Sequence, residues 1–241
     1  MVTNDKFADE LAKVRAKSQI SDDCITRWDI GLDIKTAMER IKEIGKMYTS
    51  DFVLDKDNEF VYLNLVKWVH GDRSMQAIHP ITKNIVRANL KAGLYIAGPS
   101  GTGKTMCTNI IRDYSHIVGA KVMIKPFDEK TSLIWKNYNA SEIAQEYMTK
   151  GDIEEIDRNR VLCIQDFGCE PEAVVYMGNR VNVLRNLIER RGDIKNRFTL
   201  ITSNLPISHE YTKQRYEERV ISRLCQMCNY FELKGKDRRI N

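Results

Sequence analysis

The feature that most constrains this chain is the glycine-rich stretch at residues 98–105, which reads Gly-Pro-Ser-Gly-Thr-Gly-Lys-Thr. An apolar run precedes it and a helical pattern over residues 106–118 follows, which is the strand, loop and helix order of a phosphate-binding P-loop. Glycines let the backbone wrap around a phosphate, and the helix N-terminus adds free amides. We expect Lys104 to reach the β- and γ-phosphates and Thr105 to bind Mg²⁺. The predicted nucleotide-binding residues are Gly98, Pro99, Ser100, Gly101, Thr102, Gly103, Lys104, Thr105 and Met106.

A second apolar run, residues 161–164, is followed by Gln165, Asp166 and Phe167. P-loop ATPases usually place two acids at such a strand end, one for the Mg²⁺ shell and one to polarise the attacking water. Asp166 is the only acid here, so we predict it as a metal-binding and catalytic residue without choosing between the two roles. The plain alternative is that Asp166 caps a turn. Glu170 lies four residues further on, in a loop that could bring it to the site or keep it away.

A third polar element is expected between the γ-phosphate and the acidic strand. The apolar run that starts at Phe198 ends in Thr202, Ser203 and Asn204. The Asn204 amide can orient an attacking water without adding charge, and we predict Asn204 as a catalytic residue. On spacing alone the segment could also be an ordinary turn, because Asn and Ser are good turn formers.

The order of elements after residue 93 predicts an α/β fold. Strands alternating with helices imply a mostly parallel sheet covered on both faces, which binds ligands at the carboxyl ends of its strands. The predicted strands are residues 94–97, 122–124, 161–164, 198–202 and 230–233.

Helical patterns dominate the chain before residue 70. Phe7, Leu11 and Val14 mark a short first helix, which serves either as core or as a partner-docking face. Longer patterns follow at residues 33–48 and 59–70. We divide the chain into a helical N-terminal region, 1–57, with a partner-binding role, and an ATP-binding domain, 58–241.

Together these motifs resemble the AAA+ ATPases of the DnaC/IstB group, which contains bacterial helicase loaders and transposition helper ATPases. Residues 93–105 look like the first motif of the group, residues 164–170 like its second and residues 201–206 like its sensor motif, while residues 187–191 resemble the arginine stretch before it. The resemblance implies a P-loop AAA+ (ASCE-type) parallel sheet flanked by helices, with a small helical N-terminal region and no C-terminal lid domain.

The second motif of the group has two adjacent acids, an apolar residue, Gly and a nearby Glu. By this resemblance Gln165 replaces the first acid, Asp166 takes the second position, and Asn204 is the γ-phosphate sensor.

Residues 218–224, Glu-Arg-Val-Ile-Ser-Arg-Leu, are similar to the segment that carries the arginine finger of the group. The finger is an arginine given in trans to the ATP of the next subunit, where it stabilises charge on the transferring phosphoryl group. The resemblance implies Arg223 in this role, with Arg219 second, and hence a homo-oligomer. Without the resemblance, these residues are two arginines on a surface helix.

The resemblance implies an ATP- and Mg²⁺-dependent ATPase, weak alone, that loads a replicative helicase onto single-stranded DNA. One alternative is an IstB-like transposition helper, with a transposase as client and duplex DNA as partner. Another is a non-hydrolysing scaffold in which ATP only licenses assembly, which the missing acid beside Asp166 favours.

Charge and hydropathy limit the remaining classes. The net charge of +5 is compatible with nucleic-acid contact without requiring it. Two basic clusters could neutralise phosphates or simply be solvated: Arg185, Arg190, Arg191, Lys195 and Arg197, and Lys234, Lys236, Arg238 and Arg239. No apolar run reaches the length of a membrane span, and no signal peptide is visible, so we expect a cytoplasmic protein.

Overall fold

The computed structural model of the protein describes residues 8–9, 24–125, 129–194 and 196–238. In chain order its strands are β1 (Ile25–Arg27), β2 (Gln76–Ile78), β3 (Ile85–Arg87), β4 (Gly93–Ala97), β5 (Lys121–Ile124), β6 (Lys130–Ser132), β7 (Lys136–Asn139), β8 (Val161–Gln165), β9 (Val174–Tyr176), β10 (Asn179–Val181), β11 (Phe198–Ser203) and β12 (Cys228–Glu232). Its helices are α1 (Ile34–Tyr48), α2 (Glu59–His70), α3 (Lys104–Ile117), α4 (Ala140–Lys150), α5 (Glu154–Asp157), α6 (Val183–Asp193) and α7 (Glu210–Met227). Within the described ranges, none of these helices has the length and apolar character to cross a membrane.

A seven-stranded sheet organises the fold, in the order β3-β2-β12-β4-β11-β8-β7. The strands from β12 to β7 run parallel, and β2 and β3 add an antiparallel edge. Strand β4, which leads into the glycine-rich loop, has β11 beside it and β8 one place further out. The carboxyl ends of these three strands open on one edge, where α/β sheets bind their ligands.

Helices cover both faces of this sheet. Successive side chains of a strand point to opposite faces, so Leu94 of β4 joins the core that contains Trp68 of α2 and Ile110 of α3. Its neighbour Tyr95 joins the opposite core, together with Leu187 of α6. Strand β4 is buried along its whole length, which explains its continuous apolar sequence.

The N-terminal helix α1 packs into the same core as α2 and α3. Its Ala37 and Ile41 are buried in that cluster, and the Asp33 side chain caps the helix by accepting from the Lys35 amide at 3.2 Å. The helices predicted at residues 33–48 and 59–70 are confirmed as α1 and α2. The helix predicted around Phe7, Leu11 and Val14 lies outside the described residues.

One strand differs from the prediction in its partners. Residues 122–124 form part of β5, but β5 pairs with β1 and β6 in a separate antiparallel sheet. The edge of the main sheet beside β8 is instead formed by β7, whose sequence is Lys-Asn-Tyr-Asn. Because β7 is a polar, partly exposed edge strand, no apolar run marks it in the sequence.

Candidate nucleotide-binding site

The glycine-rich loop joins β4 to α3 at the carboxyl edge of the sheet. Gly101 and Gly103 have φ values of 77° and 89°, in the region that glycine enters without steric cost. Gly103 is the N-cap of α3 and supplies no side chain to its first turn. The free amides and dipole of α3 therefore face the loop, which suits an anionic phosphate. Thr105, the predicted Mg²⁺ ligand, is exposed at this helix end.

Lys104 connects the glycine-rich loop with the polar segment that ends at Asn204. Its side chain is buried, and the Nζ atom donates to the carbonyl oxygens of Gly98 at 2.8 Å and Pro99 at 2.9 Å. The same nitrogen donates to Oδ1 of Asn204 at 2.7 Å. The structure thus brings the predicted phosphate-binding lysine and the predicted sensor amide together, although 100 residues separate them in the chain.

Asp166 follows β8 in an unusual backbone conformation. Its φ is 55°, in the left-handed region that non-glycine residues rarely adopt. The Asp166 amide donates to Oγ1 of Thr202 at 3.1 Å, and the Phe167 amide donates to the Thr202 carbonyl at 2.9 Å. These bonds to β11 hold the turn. Such over-determined strain is typical of functional sites.

Asn139 joins the candidate site although the sequence did not predict it. Its Nδ2 atom donates to Oδ2 of Asp166 at 3.1 Å. Its Oδ1 accepts from the Ser141 amide at 2.9 Å, and Glu142 completes a capping box at the start of α4. The cap orients the Asn139 amide, which in turn orients the Asp166 carboxylate. The Asn-x-x-Glu spacing could have indicated the cap, but only the sheet order brings it to Asp166.

Gln165 stands where a two-acid site would have its first acid. Its side chain is buried, and its Nε2 donates to Oγ1 of Thr108 on α3 at 2.9 Å. The hydroxyl of Thr108 donates onward to the Thr105 carbonyl at 2.9 Å. Oε1 of Gln165 is buried and has no hydrogen-bond partner among the described residues. A buried acceptor without a donor is costly, and a cation bound at this edge would satisfy it.

The oxygen donors at this edge fit Mg²⁺. The Thr105 hydroxyl, the Asp166 carboxylate and the Gln165 amide oxygen are all hard oxygen ligands, the type that Mg²⁺ requires. Mg²⁺ usually keeps several waters and uses few protein ligands, so one carboxylate and two neutral oxygens are a sufficient set.

The Glu170 carboxylate contacts groups other than the glycine-rich loop. It is buried, and its Oε2 accepts from the Gly168 amide at 2.9 Å. Its Oε1 pairs with the Arg215 guanidinium at 3.2 Å and accepts from the Tyr216 hydroxyl. Burial and the neighbouring Glu170 carboxylate raise the pKa of Tyr216 above its ordinary value. Glu170 therefore fastens the loop after β8 to α7, and it does not replace the missing acid.

The two arginines of the finger-like segment lie on α7 and face α6. Arg223 pairs with Asp193, and Arg219 lies 3.8 Å from Oε1 of Glu189. None of their described contacts involves Lys104. Helix α7 is interrupted at Glu217, whose φ and ψ are 64° and 161°, so the part that carries both arginines starts at a break in the helix.

The first basic cluster is largely neutralised inside the protein. Arg190 and Arg197 both pair with Asp157, at 3.2 and 2.8 Å. Arg191 is fully buried, donates to four acceptors around α5 and β11, and has its pKa lowered by burial to about 10. Arg185 pairs with Glu189 and Glu217. Lys195 lies outside the described residues, so the described part of this cluster offers little free positive charge.

Comparisons with known proteins identify similar folds. No protein-family model matches the chain, and a search of curated proteins gives no match. Among solved structures it is similar to a DnaC helicase loader, with a TM-score of 0.49 and 16% identity over 77% of this chain and 95% of that chain. It is also similar to AMPPCP-bound DnaA from Aquifex aeolicus, with a TM-score of 0.45 and 15% identity over 76% of this chain and 49% of that chain. A replication initiator DnaA bound to AMPPCP and single-stranded DNA gives 0.42 and 14% over 78% of this chain and 49% of that chain.

At these identities and TM-scores the likenesses carry no argument about ligand or partner. The fold class rests on the observed strand order, in which β11 lies between the strand of the phosphate loop and the acidic strand β8, and on the loop geometry described above. The observed strand order confirms the predicted parallel sheet flanked by helices, with the glycine-rich loop between β4 and α3.

Proposed function

We propose that this protein binds Mg²⁺ and ATP at the glycine-rich loop and uses ATP turnover to load a replicative helicase onto single-stranded DNA. The observation that carries the proposal is the convergence on Lys104. Its Nζ bridges the loop carbonyls and Asn204, while Asp166 is held at the neighbouring strand end by Thr202 and Asn139.

Each group has a chemical task in this proposal. The loop amides and Lys104 hold the β- and γ-phosphates. Thr105, Asp166 and the Gln165 amide oxygen are the residues that would hold Mg²⁺, which when bound neutralises charge on the phosphate oxygens. Asn204 orients the attacking water, and Asp166 serves either in the Mg²⁺ shell or as the carboxylate that accepts the proton of that water. Asn139 fixes the orientation of that carboxylate.

The remaining parts act through assembly. In a homo-oligomer, Arg223 contacts the ATP bound to the adjacent subunit and acts as its arginine finger. Arg219 is the second choice for this role. The N-terminal region, residues 1–57, binds the client helicase. Single-stranded DNA lies along the inside of the oligomer, and the assembly works in the cytoplasm. The break at Glu217 supports a finger segment that can shift against the rest of α7.

A specific observation favours the non-hydrolysing scaffold as the second candidate. Gln165 occupies the position of an acid, and its amide is engaged by Thr108. A neutral amide holds Mg²⁺ more weakly than a carboxylate does. In a scaffold, ATP would bind and license assembly without being consumed.

The test is ATP turnover by the purified protein with no DNA, with single-stranded DNA and with duplex DNA, and Lys104→Ala as the blank. Stimulation by single strands supports the helicase loader. Stimulation by duplex alone favours the transposition helper instead. ATP binding without turnover under all three conditions contradicts the ATPase and leaves the scaffold.

A further inference from the structure

The segment after β12 returns across the glycine-rich loop. The Leu233 amide donates to the Ala97 carbonyl at 2.8 Å, which extends the pairing beyond β12. The chain then turns at Gly235, whose φ is 99°. A Cβ at Gly235 would lie 2.9 Å from Oδ2 of Asp57, which is the movable end of a side chain, so it is the positive φ that favours glycine at this turn.

This tail contacts the loop closely at two glycines. The Arg238 amide donates to the Gly101 carbonyl at 3.0 Å. A Cβ at Gly101 would overlap the Asp237 carboxylate, and one at Gly98 would overlap the Leu233 carbonyl. The hydrogen bond from Arg238 goes to a carbonyl of the loop and not to one of the amides that a phosphate needs.

The same tail is anchored to the connection between α1 and α2. One guanidinium nitrogen of Arg238 contacts both carboxylate oxygens of Asp55, at 3.0 and 2.8 Å. The Lys234 amide donates to the Asp57 carbonyl at 3.2 Å. Asp55 is itself fixed, because its Oδ1 accepts from the Asp57 amide at 2.9 Å. The tail thus ties the glycine-rich loop to the end of the N-terminal region.

We propose that residues 233–238 form a strap that holds the glycine-rich loop in its phosphate-binding shape, and that Arg238 and Asp55 are positioning residues for nucleotide binding. The proposal rests on the proposed function, since it concerns the same ATP site. It adds a route by which a partner on the α1–α2 connection changes nucleotide affinity. Displacing Asp55 would release Arg238, and with it the support of Gly101.

The test uses variants of the full chain, of which Arg238→Ala, Asp55→Asn and the double variant disrupt the strap. Asp55→Asn keeps an acceptor for the Asp57 amide, removes the charge and replaces one of the two oxygens that contact Arg238 by an NH2 group. Arg238→Lys keeps the charge and should restore the strap. The matched control is Arg158→Ala, which removes an exposed ion pair with Glu154 on α5. Arg158 comes just before β8 and so lies towards the amino edge of the parallel sheet, whereas the loop lies at the carboxyl edge.

Two measurements separate the strap from the ATP site. Hydrogen exchange without nucleotide should be faster in both single variants than in the wild type and the control at two hydrogen-bonded amides, that of Thr102, which donates to the Pro99 carbonyl, and that of residue 238, which donates to the Gly101 carbonyl. The Kd for ATP should weaken by about two- to fivefold, the range for a partly exposed ion pair. The double variant should be no weaker than either single variant, because both remove one interaction.

The outcomes are distinguishable. Unchanged exchange of the Thr102 and residue-238 amides in both single variants overturns the strap, whatever the ATP affinity is. Faster exchange in a protein whose wild type does not bind ATP supports the strap and overturns the proposed function. Additive weakening in the double variant also overturns the strap, because Arg238 and Asp55 would then act independently.

Discussion

Gln165 is the residue at which this site departs most from a strand end with two acids. Its Nε2 donates to the Thr108 hydroxyl, which in turn donates to the Thr105 carbonyl. A directed chain of donors therefore runs from β8 to the first turn of α3. The direction of that chain requires an amide, since a carboxylate has no hydrogen to donate at neutral pH.

Gln165→Glu should lower the free energy of unfolding of the nucleotide-free protein by about 1–3 kcal/mol, because a buried carboxylate cannot donate to Thr108 and is paired only if the Thr108 hydroxyl turns away from the Thr105 carbonyl. Denaturant unfolding measures the change. Gln214→Glu, the same substitution at an exposed position of α7, should stay within about 0.5 kcal/mol of the wild type. Equal stability of the two variants would contradict the described role of the Gln165 amide.

Cys169 lies beside Asn204 and so can report on the proposed nucleotide site. Its sulfur lies 3.9 Å from Nδ2 of Asn204, and both Cys169 and Cys225 are exposed. Burial, Asp166 and Glu170 raise the pKa of Cys169, and burial raises that of Cys225. Alkylation of both should therefore be slow at neutral pH and should quicken as the pH rises above the ordinary thiol value of about 8.5.

ATP at about ten times its Kd leaves roughly a tenth of the sites open, so it should slow alkylation of Cys169 roughly tenfold. Cys225, on α7, should react at the same rate with and without ATP. Mass spectrometry of the labelled peptides measures both rates. Equal protection of the two cysteines would indicate a global change instead of occupancy at Asn204.

At the scale of elements, long apolar patterns were sufficient to predict α1, α2 and the central strands. Strand β7 was missed because its sequence is polar, and β5 was found but paired elsewhere. The candidate site was likewise predictable only in part. The motifs around Lys104, Asp166 and Asn204 could be read from local sequence, whereas the contacts of Asn139 and of Glu170 depend on which strands and helices meet.

The contact between the loop after β8 and α7 should matter for stability. Glu170 and the Arg215 side chain are almost fully buried, so Glu170→Ala leaves an arginine without its counter-ion and should cost about 3–5 kcal/mol. Glu172→Ala, two residues further along in an exposed position, is the matched control and should be nearly neutral. Thermal or denaturant unfolding measures the stability of both variants against the wild type. A small loss for Glu170→Ala would mean that Glu170 does not fasten this loop.

For the whole molecule, the proposed trans finger predicts complementation between two inactive proteins. Arg223→Ala should lose about a thousandfold in turnover while it keeps ATP binding. At ATP concentrations near the wild-type Kd, Lys104→Ala should bind too little ATP for turnover while it keeps its finger. In a mixture, a Lys104→Ala subunit can give Arg223 to an Arg223→Ala neighbour, and turnover should return. If the mixture stays as inactive as its components, Arg223 does not act in trans.

The measurement that tests the central claim most directly is equilibrium binding of ATP with Mg²⁺ to the wild type and to Lys104→Ala, both checked for a native thermal transition. Lys104 is buried and contacts Gly98, Pro99 and Asn204 at one nitrogen. The same nitrogen is proposed to contact the ATP phosphates. Loss of that charge-assisted contact, worth about 1.5–3 kcal/mol, should weaken the Kd for ATP by roughly ten- to hundredfold. Equal affinity of the two folded proteins for ATP would contradict the assignment of the glycine-rich loop as the nucleotide site.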